Sequence, residues 1–318
     1  MLRRLRQDLR EVPVFIVGSG HWGRALGGLF ERSFRQVSYA DERTPRTKWT
    51  QILQKNPIVV LACPFVAIPE TLKKLRNQKP TLVINASKGI DQKSLLTFTG
   101  MARKSKISPI ATLSGPTFAK EVQEQKPTAC VLAGKDHILL SKIAELISTP
   151  KFRVYLGHDS LGVEASGAIK NVLAIACGLS DGLNLGLNAR AALLTRGLVE
   201  MSTLVRLLGG KAETVFGLAG VGDLWLTATG DLSRNRQLGL QLAQGLSLPK
   251  ALSKLSGTCE GVYTVKQVHA LSKKHMLDLP ISEQVYKICF KDQNPKQALL
   301  ELMTRALKPE ASNGSKVR

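Results

Sequence analysis

Cysteines are few in this chain and never spaced for a shared task. The five (Cys63, Cys130, Cys177, Cys259 and Cys289) are scattered and odd in number. Such spacing argues against a disulfide framework or a metal site, and for reduced, mostly buried thiols in a cytoplasmic protein. No apolar run reaches membrane-spanning length. Arg3, Arg4, Arg6 and Arg10 crowd the start, but no apolar h-region follows them, only the first strand, so no secretory signal is expected. Acidic residues are scarce too: 24 Asp and Glu stand against 45 Lys and Arg, a formal net charge of +21. The cations are spread along the chain without an aromatic-interleaved stripe. That points to small anionic ligands rather than to nucleic acid or an acidic membrane surface.

What is present begins with Val12 to Leu29. Val14 to Val17 is apolar, β-branched and too short for a helix, so it reads as a buried strand. Gly18, Gly20 and Gly23 follow at G-x-G-x-x-G spacing and a helical segment begins at once. Gly18 permits the tight turn, Gly20 lets a pyrophosphate approach the backbone, and Gly23 lets helix and strand pack closely. This predicts dinucleotide binding with the anion at the helix N-terminus. Trp22, inside the turn, can lie against a cofactor or serve as a packing aromatic.

Short apolar runs and helical segments then alternate. Gln36 to Ala40 predicts the second strand, ending in Asp41-Glu42-Arg43. An acidic residue about twenty positions past the glycines favours the ribose hydroxyls of NAD, and a nearby Arg accommodates the 2′-phosphate of NADP. Asp41 and Arg43 thus argue opposite ways, and mixed cofactor use is expected. Ile58 to Ala62, Thr81 to Asn85, Pro109 to Leu113, Thr128 to Leu132 and Phe152 to Leu156 complete a mostly parallel sheet. Ligands gather at the carboxyl ends of such strands, where Lys88 and the Gly115–Thr117 turn fall.

Past Gly157 helical periodicity takes over, to about Leu307. The expected division is a dinucleotide-binding domain over 1–158 and an all-helical substrate domain over 159–318. Asp159 or Ser160 can cap a first helix, in which Lys170 and Asn171 interrupt a long apolar stretch. A lysine there is costly to bury without partners or a task, unless it snorkels at a helix edge. Ser166 and Gly167 lie one turn earlier on its face and suggest room for a small molecule beside the ammonium. Further on, three glycines (Gly217, Gly220, Gly222) precede Asp223 and suggest special backbone conformations. Ser233-Arg234-Asn235 at a helix start offers a hydroxyl, a guanidinium fork and an amide, a set suited to phosphate or to ordinary capping.

GSGHWGRAL, SKG, SGPTFAKE, GAIKNVLAIACGL, GLAGVGDLWLT, SRN and a later CEGV, in that order, resemble the bacterial type of NAD(P)-dependent glycerol-3-phosphate dehydrogenase. The resemblance runs from about Val12 to Pro280. It implies a Rossmann domain, an all-helical substrate domain and an active site between them. It implies reversible reduction of dihydroxyacetone phosphate to sn-glycerol 3-phosphate, feeding glycerophospholipid synthesis, in a cytoplasmic homodimer using NAD or NADP and no metal. By the same resemblance, Ser19, Trp22, Arg43, Lys88, Ala119, Arg234 and Glu260 would touch the cofactor. Lys88, Gly115, Thr117, Lys170, Asp223, Ser233, Arg234 and Asn235 would surround the substrate, and Lys170 would hold the proton. Two departures stand out. His21 occupies a position usually held by Ser, and the stretch from Arg43 to Pro57 is unusually short.

The alternatives are another two-domain reductase of a small phosphate or keto acid, a dinucleotide sensor without turnover, and a basic nucleic-acid binder. A sensor needs no proton donor, so Lys170 with Asp223 and Arg234 favours an enzyme. The cofactor carries the hydride chemistry, and the site must add a cation where the carbonyl oxygen gains charge.

Overall fold

The computed structural model describes residues 8–307 and 309–310; Arg3, Arg4 and Arg6 lie outside them. Its first half follows the order β1 (Val14–Val17), α1 (His21–Phe30), β2 (Val37–Ala40), α2 (Arg46–Leu53), β3 (Ile58–Leu61), α3 (Ile68–Leu75), β4 (Leu82–Asn85), α4 (Phe98–Lys104), β5 (Ile110–Ser114), α5 (Ala119–Gln123), β6 (Thr128–Gly134), α6 (His137–Ile147) and β7 (Phe152–Gly157). The strands form one seven-stranded sheet in the order β2-β1-β3-β4-β5-β6-β7. Every pairing is parallel except β5 with β6. The order of the strands along the sheet reverses at β1, which lies between β2 and β3, the switch point where doubly wound sheets bind ligands.

The strand alternation builds two core layers. Val14 and Ile16 pack with Leu26 and Phe30 of α1 and Leu140 and Ile143 of α6. Phe15 and Val17 point the other way, toward Trp49 of α2, Leu72 of α3 and Phe98 of α4. The short segment after Arg43 still forms a helix, α2, whose Trp49 meets Phe15 edge-on at 4.9 Å between ring centroids.

The second half holds α7 (Ser160–Gly182), α8 (Gly186–Leu207), α9 (Asp223–Thr229), α10 (Arg234–Ala243), α11 (Leu248–Ser253), α12 (Glu260–His275), α13 (Pro280–Phe290) and α14 (Pro295–Met303). Asp159 caps α7 by accepting from the Gly162 N–H at 2.9 Å. By length and composition α7 is long and apolar enough to cross a membrane, but Glu164 and Lys170 interrupt it and 94% of its most apolar window is buried within the protein. It is the axis of the helical core. Leu194 and Met201 of α8, Leu238 of α10, Val265 of α12 and Val285 of α13 belong to the cluster around it. α10 crosses α7 backbone to backbone: a Cβ on Gly239 would lie 2.2 Å from the Ile175 carbonyl oxygen. That close crossing places the start of α10 beside the middle of α7.

One tie crosses between the halves in the core. Glu164 of α7 is buried, accepts from the backbone N–H and hydroxyl of Thr99 at 2.9 and 2.7 Å, and also takes the Thr112 hydroxyl. Desolvation pushes its carboxyl above the ordinary carboxylate range, and the threonine bonds oppose that rise. Glu164 thereby satisfies an amide in the first turn of α4, whose own Thr97 side chain makes no cap bond.

Candidate active site

The first wall of the cleft is the glycine turn. Gly18 adopts φ +113, and a Cβ there would stand 2.5 Å from the Ala62 carbonyl oxygen. A Cβ on Gly23 would lie 1.8 Å from the Gly18 carbonyl oxygen, so α1 leaves β1 at van der Waals contact. A Cβ on Gly20 would meet nothing within 4 Å. Gly20 is also the N-cap of α1 and offers no side-chain cap bond. The open space, the uncapped helix N-terminus and the flush turn fit a dinucleotide pyrophosphate. Trp22 is half-buried over this turn and donates its Nε1–H to the Ala86 carbonyl at 3.0 Å.

Below the turn lies a cleft of about 390 Å³ between the two halves, lined by Gly20, Trp22, Lys88, Lys170, Asp223, Arg234 and Glu260 among others. Asp223, at the start of α9, is 1% exposed and is its charge centre. One oxygen accepts from Lys170 Nζ at 2.5 Å and the other from Lys88 Nζ at 2.6 Å. Lys88 also reaches the Gly115 carbonyl at 3.3 Å. Lys170 donates a second bond to the Thr227 hydroxyl at 2.6 Å, and that hydroxyl donates in turn to the Asp223 backbone carbonyl at 2.7 Å. The lysine therefore has a fixed position. Burial drives its pKa down to about 8, against the attraction of Asp223 and with the help of Lys88.

Gly167 does not leave the void expected from the sequence. A Cβ there would lie 3.1 Å from Ser114 Oγ and 3.6 Å from Lys88 Cγ. The small residue makes way for Lys88, which approaches from the other half. None of the three glycines before Asp223 takes a left-handed backbone, and only Gly220 is needed for close packing. Gly217 caps a π-helical turn, Leu218–Gly222, in which a Cβ on Gly220 would sit 2.0 Å from the Val215 carbonyl oxygen.

The far end of the cleft is built by α10 and α12. Ser233 caps α10, its Oγ accepting from the Arg236 N–H at 3.2 Å, so its proton stays available to donate. Asn235 accepts from the Gly261 N–H at 3.1 Å and donates to Asn171 Oδ1 at 2.9 Å, which orients both amides. Arg234 lines the cleft and is exposed, whereas Arg236 is the member of the pair committed to ion pairs with Asp181 and Asp231. Glu260, at the start of α12, accepts from the Phe65 N–H at 3.2 Å and so joins the loop after β3 to the helical half. Burial pushes its carboxyl up, opposed by Phe65, Arg234 and Lys88.

The structure thus brings Lys88, Thr117, Ala119, Lys170, Asp223, Ser233, Arg234, Asn235 and Glu260 to one cleft with Gly20 and Trp22. Gly115 borders it through its carbonyl on Lys88 and the Thr117 hydroxyl bond at 3.1 Å. Gly18 and Gly23 shape the turn from behind. Ser19, in the glycine turn, and Arg43, just after β2, both bond to Asp41, through the Ser19 hydroxyl and the Arg43 backbone N–H. His21 lines the cleft at the first turn of α1. Thr227 and Asn171 were given no role by the sequence reading. Thr227 lies one turn beyond Asp223 on the same helix, a spacing that could have marked it. Among the described residues no group of three or more His, Cys, Asp or Glu could hold a metal.

A mostly parallel sheet with a glycine turn at its switch point, closed by a helical half that carries a buried lysine–carboxylate pair, defines a two-domain dinucleotide-dependent oxidoreductase. The chain belongs to the NAD-dependent glycerol-3-phosphate dehydrogenase family: the family model for the C-terminus matches residues 159–300, and the one for the N-terminus residues 44–139. It is 48% identical to the glycerol-3-phosphate dehydrogenase (NAD(P)+) of Solidesulfovibrio magneticus, over 94% of this chain and 100% of that protein. It is 42% identical to the enzyme of the same name from Acaryochloris marina, over 94% of this chain and 97% of that one. The crystal structure of glycerol-3-phosphate dehydrogenase from Coxiella burnetii superposes with a TM-score of 0.84 at 35% identity, covering 93% of this chain and 100% of that one.

Proposed function

We propose that the cleft interconverts dihydroxyacetone phosphate and sn-glycerol 3-phosphate, with Lys170 as the proton donor and acceptor. The observation that carries this reading is the Lys170–Asp223–Lys88 arrangement, two ammonium groups locked on one buried carboxylate. When bound, NAD(P) supplies the hydride to the substrate carbon or takes it away. Lys170 gives a proton to the oxygen that gains negative charge, and its positive charge stabilises that oxygen beforehand. Asp223 and Thr227 hold the ammonium in place, so little reorganisation is needed at the moment of transfer. Lys88 adds a second cation at the same end.

Arg234, with the Ser233 hydroxyl and the Asn235 amide, supplies donors for the substrate phosphate. Gly115 and Thr117 form the facing wall. Ser19, Trp22, Arg43, Ala119 and Glu260 belong to the cofactor side, with Gly18, Gly20 and Gly23 beneath the pyrophosphate. The dividing line between cofactor and substrate domains falls at 158/159, between β7 and α7. A homodimer, a cytoplasmic location supported by five free cysteines, and a role in supplying glycerophospholipid synthesis complete the proposal. The test is oxidation of NADH and NADPH by dihydroxyacetone phosphate, side by side, with EDTA present. Activity on the phosphorylated ketone is expected. Loss of activity with EDTA, or reduction of unphosphorylated ketones alone, would contradict it.

A further inference from the structure

The cations are spread along the chain but not evenly over the fold. From Arg43 to Ile107, through α2, α3 and α4, Glu70 and Asp91 are the only carboxylates among many lysines and arginines. These three helices cover one face of the sheet, where Trp49, Leu72 and Phe98 share a core layer. Each helix returns the chain to the amino end of the next strand. The register sets those ends side by side, Ile58 of β3 against Leu82 of β4, and Val83 of β4 against Ile110 of β5. The first two turns are also tied together: the Thr81 N–H donates to the Pro57 carbonyl at 3.0 Å, and the Thr81 hydroxyl to the Asn56 carbonyl at 2.6 Å. Lys55 stands in the turn before β3, Arg76 and Lys79 in the turn before β4, and Arg103, Lys104 and Lys106 at the one before β5. All six are exposed, and none has a side-chain partner among the described residues.

Neighbouring strands lie about 4.8 Å apart. The three turns therefore fall within about one Debye length at 0.1 M salt, and their fields add. Glu70, in the first turn of α3, and Asp91, after β4, lie toward the carboxyl ends of the strands, where they bond Lys73 and Ser94. At the borders of the row, Glu11 pairs with Arg35 at 2.9 Å and Asp136 caps α6. The helix dipole accounts for the cations in the last turn of α4, but not for Lys55, Lys79 and Lys106, which lie beyond the helix ends. Helices end at this edge, so it gathers carbonyls and not the backbone donors that would cradle one phosphate. Residues 54–57, 76–80 and 104–109 hold no aromatic side chain on which a nucleic-acid base could stack. A row of solvated cations with neither device matches a plane of anionic headgroups.

We propose that the turns at the amino edge of β3, β4 and β5 dock the protein on an anionic phospholipid bilayer, leaving the cleft at the carboxyl edge open to water. Attraction of this kind is worth about fivefold in partitioning for each cation near the surface. The experiment is flotation of the whole chain with vesicles of phosphatidylcholine alone, and of phosphatidylcholine mixed with phosphatidylglycerol, in low and in high salt. Wild type should float with the mixed vesicles in low salt, and neither with phosphatidylcholine alone nor in high salt. Lys55→Gln, Lys79→Gln and Lys104→Gln together should lower partitioning about a hundredfold. These side chains are exposed and glutamine keeps most of their length, so the fold should survive. Lys250→Gln, Lys254→Gln and Lys296→Gln together remove the same charge from the helical half and should lower it less than about fivefold. No flotation with the mixed vesicles, or equal losses in the two triple variants, would overturn the proposal. Tighter retention on duplex DNA than on the vesicles, lost in the first triple variant, would assign the surface to nucleic acid and overturn it as well.

Discussion

Lys170 Nζ lies 2.5 Å from an oxygen of Asp223, although 53 residues separate them in sequence. The same carboxylate holds Lys88 through its other oxygen. A single anion therefore sets the positions of two ammonium groups, one from each half of the protein, and limits their mutual repulsion. If this pairing tunes the proton donor, Asp223→Asn should fold and bind NAD(P)H, yet lower kcat by about a hundredfold or more. Its pH profile carries the sharper signature. Asp223 raises the pKa of Lys170, so its loss should move the alkaline fall in ketone reduction to lower pH. A profile at the wild-type position would show that Asp223 does not act on Lys170.

The wild-type pH dependence follows from a Lys170 pKa of about 8. Reduction of the ketone needs the protonated lysine, so kcat/KM in that direction should be level below pH 8 and fall as pH rises through it. Oxidation of the alcohol needs the neutral lysine and should rise through the same pH. The two directions measured in one buffer series check the sign, and parallel profiles would contradict it.

Arg234→Ala should cost about 1.5–3 kcal/mol, the worth of a charge-assisted bond, and hence roughly ten- to hundredfold in kcat/KM for the phosphorylated substrate. Arg236→Ala, at the neighbouring ion-pair network, should act on stability instead. Equal kcat/KM for wild type and Arg234→Ala would remove Arg234 from the substrate site.

Glu164 makes a prediction about stability. Its replacement by Ala leaves the Thr99 amide and two threonine hydroxyls without their partner. A buried donor left unpaired costs about 1–3 kcal/mol. Chemical denaturation should therefore show a loss of at least that size, with Glu164→Gln milder because the amide still accepts. No difference between the two variants would deny Glu164 its role as a tie between the halves.

Much of the fold was legible because the central strands β1, β3 and β4 are buried throughout and read as short, mostly apolar runs. Their ends were predicted to within a residue or two. The reversal of β6 was not legible, since nothing local to Thr128–Gly134 distinguishes an antiparallel from a parallel neighbour. In the site, Lys170 announced itself as a charge in an apolar helix, and Asp223 as a carboxylate after glycines. Their meeting with Lys88 did not, because 135 residues lie between Lys88 and Asp223. The small residues before Lys170 were misread as ligand space for the same reason: the group that fills the gap comes from a distant part of the chain. Ser233 could not be settled from sequence either, because one hydroxyl can cap α10 and still donate.

The central claim is that Lys170 moves the proton, and Lys170→Met tests it most directly. Methionine keeps the approximate length of the stem and is easily buried, so α7 should remain packed. The glycine turn lies on the other half and should still bind cofactor. The measurement is paired on one preparation: NAD(P)H binding by fluorescence, and steady-state reduction of dihydroxyacetone phosphate. The account predicts cofactor affinity within about twofold of wild type and turnover lower by roughly a hundredfold or more, the scale of general acid–base catalysis. Near-wild-type kcat in a variant that binds cofactor normally would contradict it and pass the proton to Lys88.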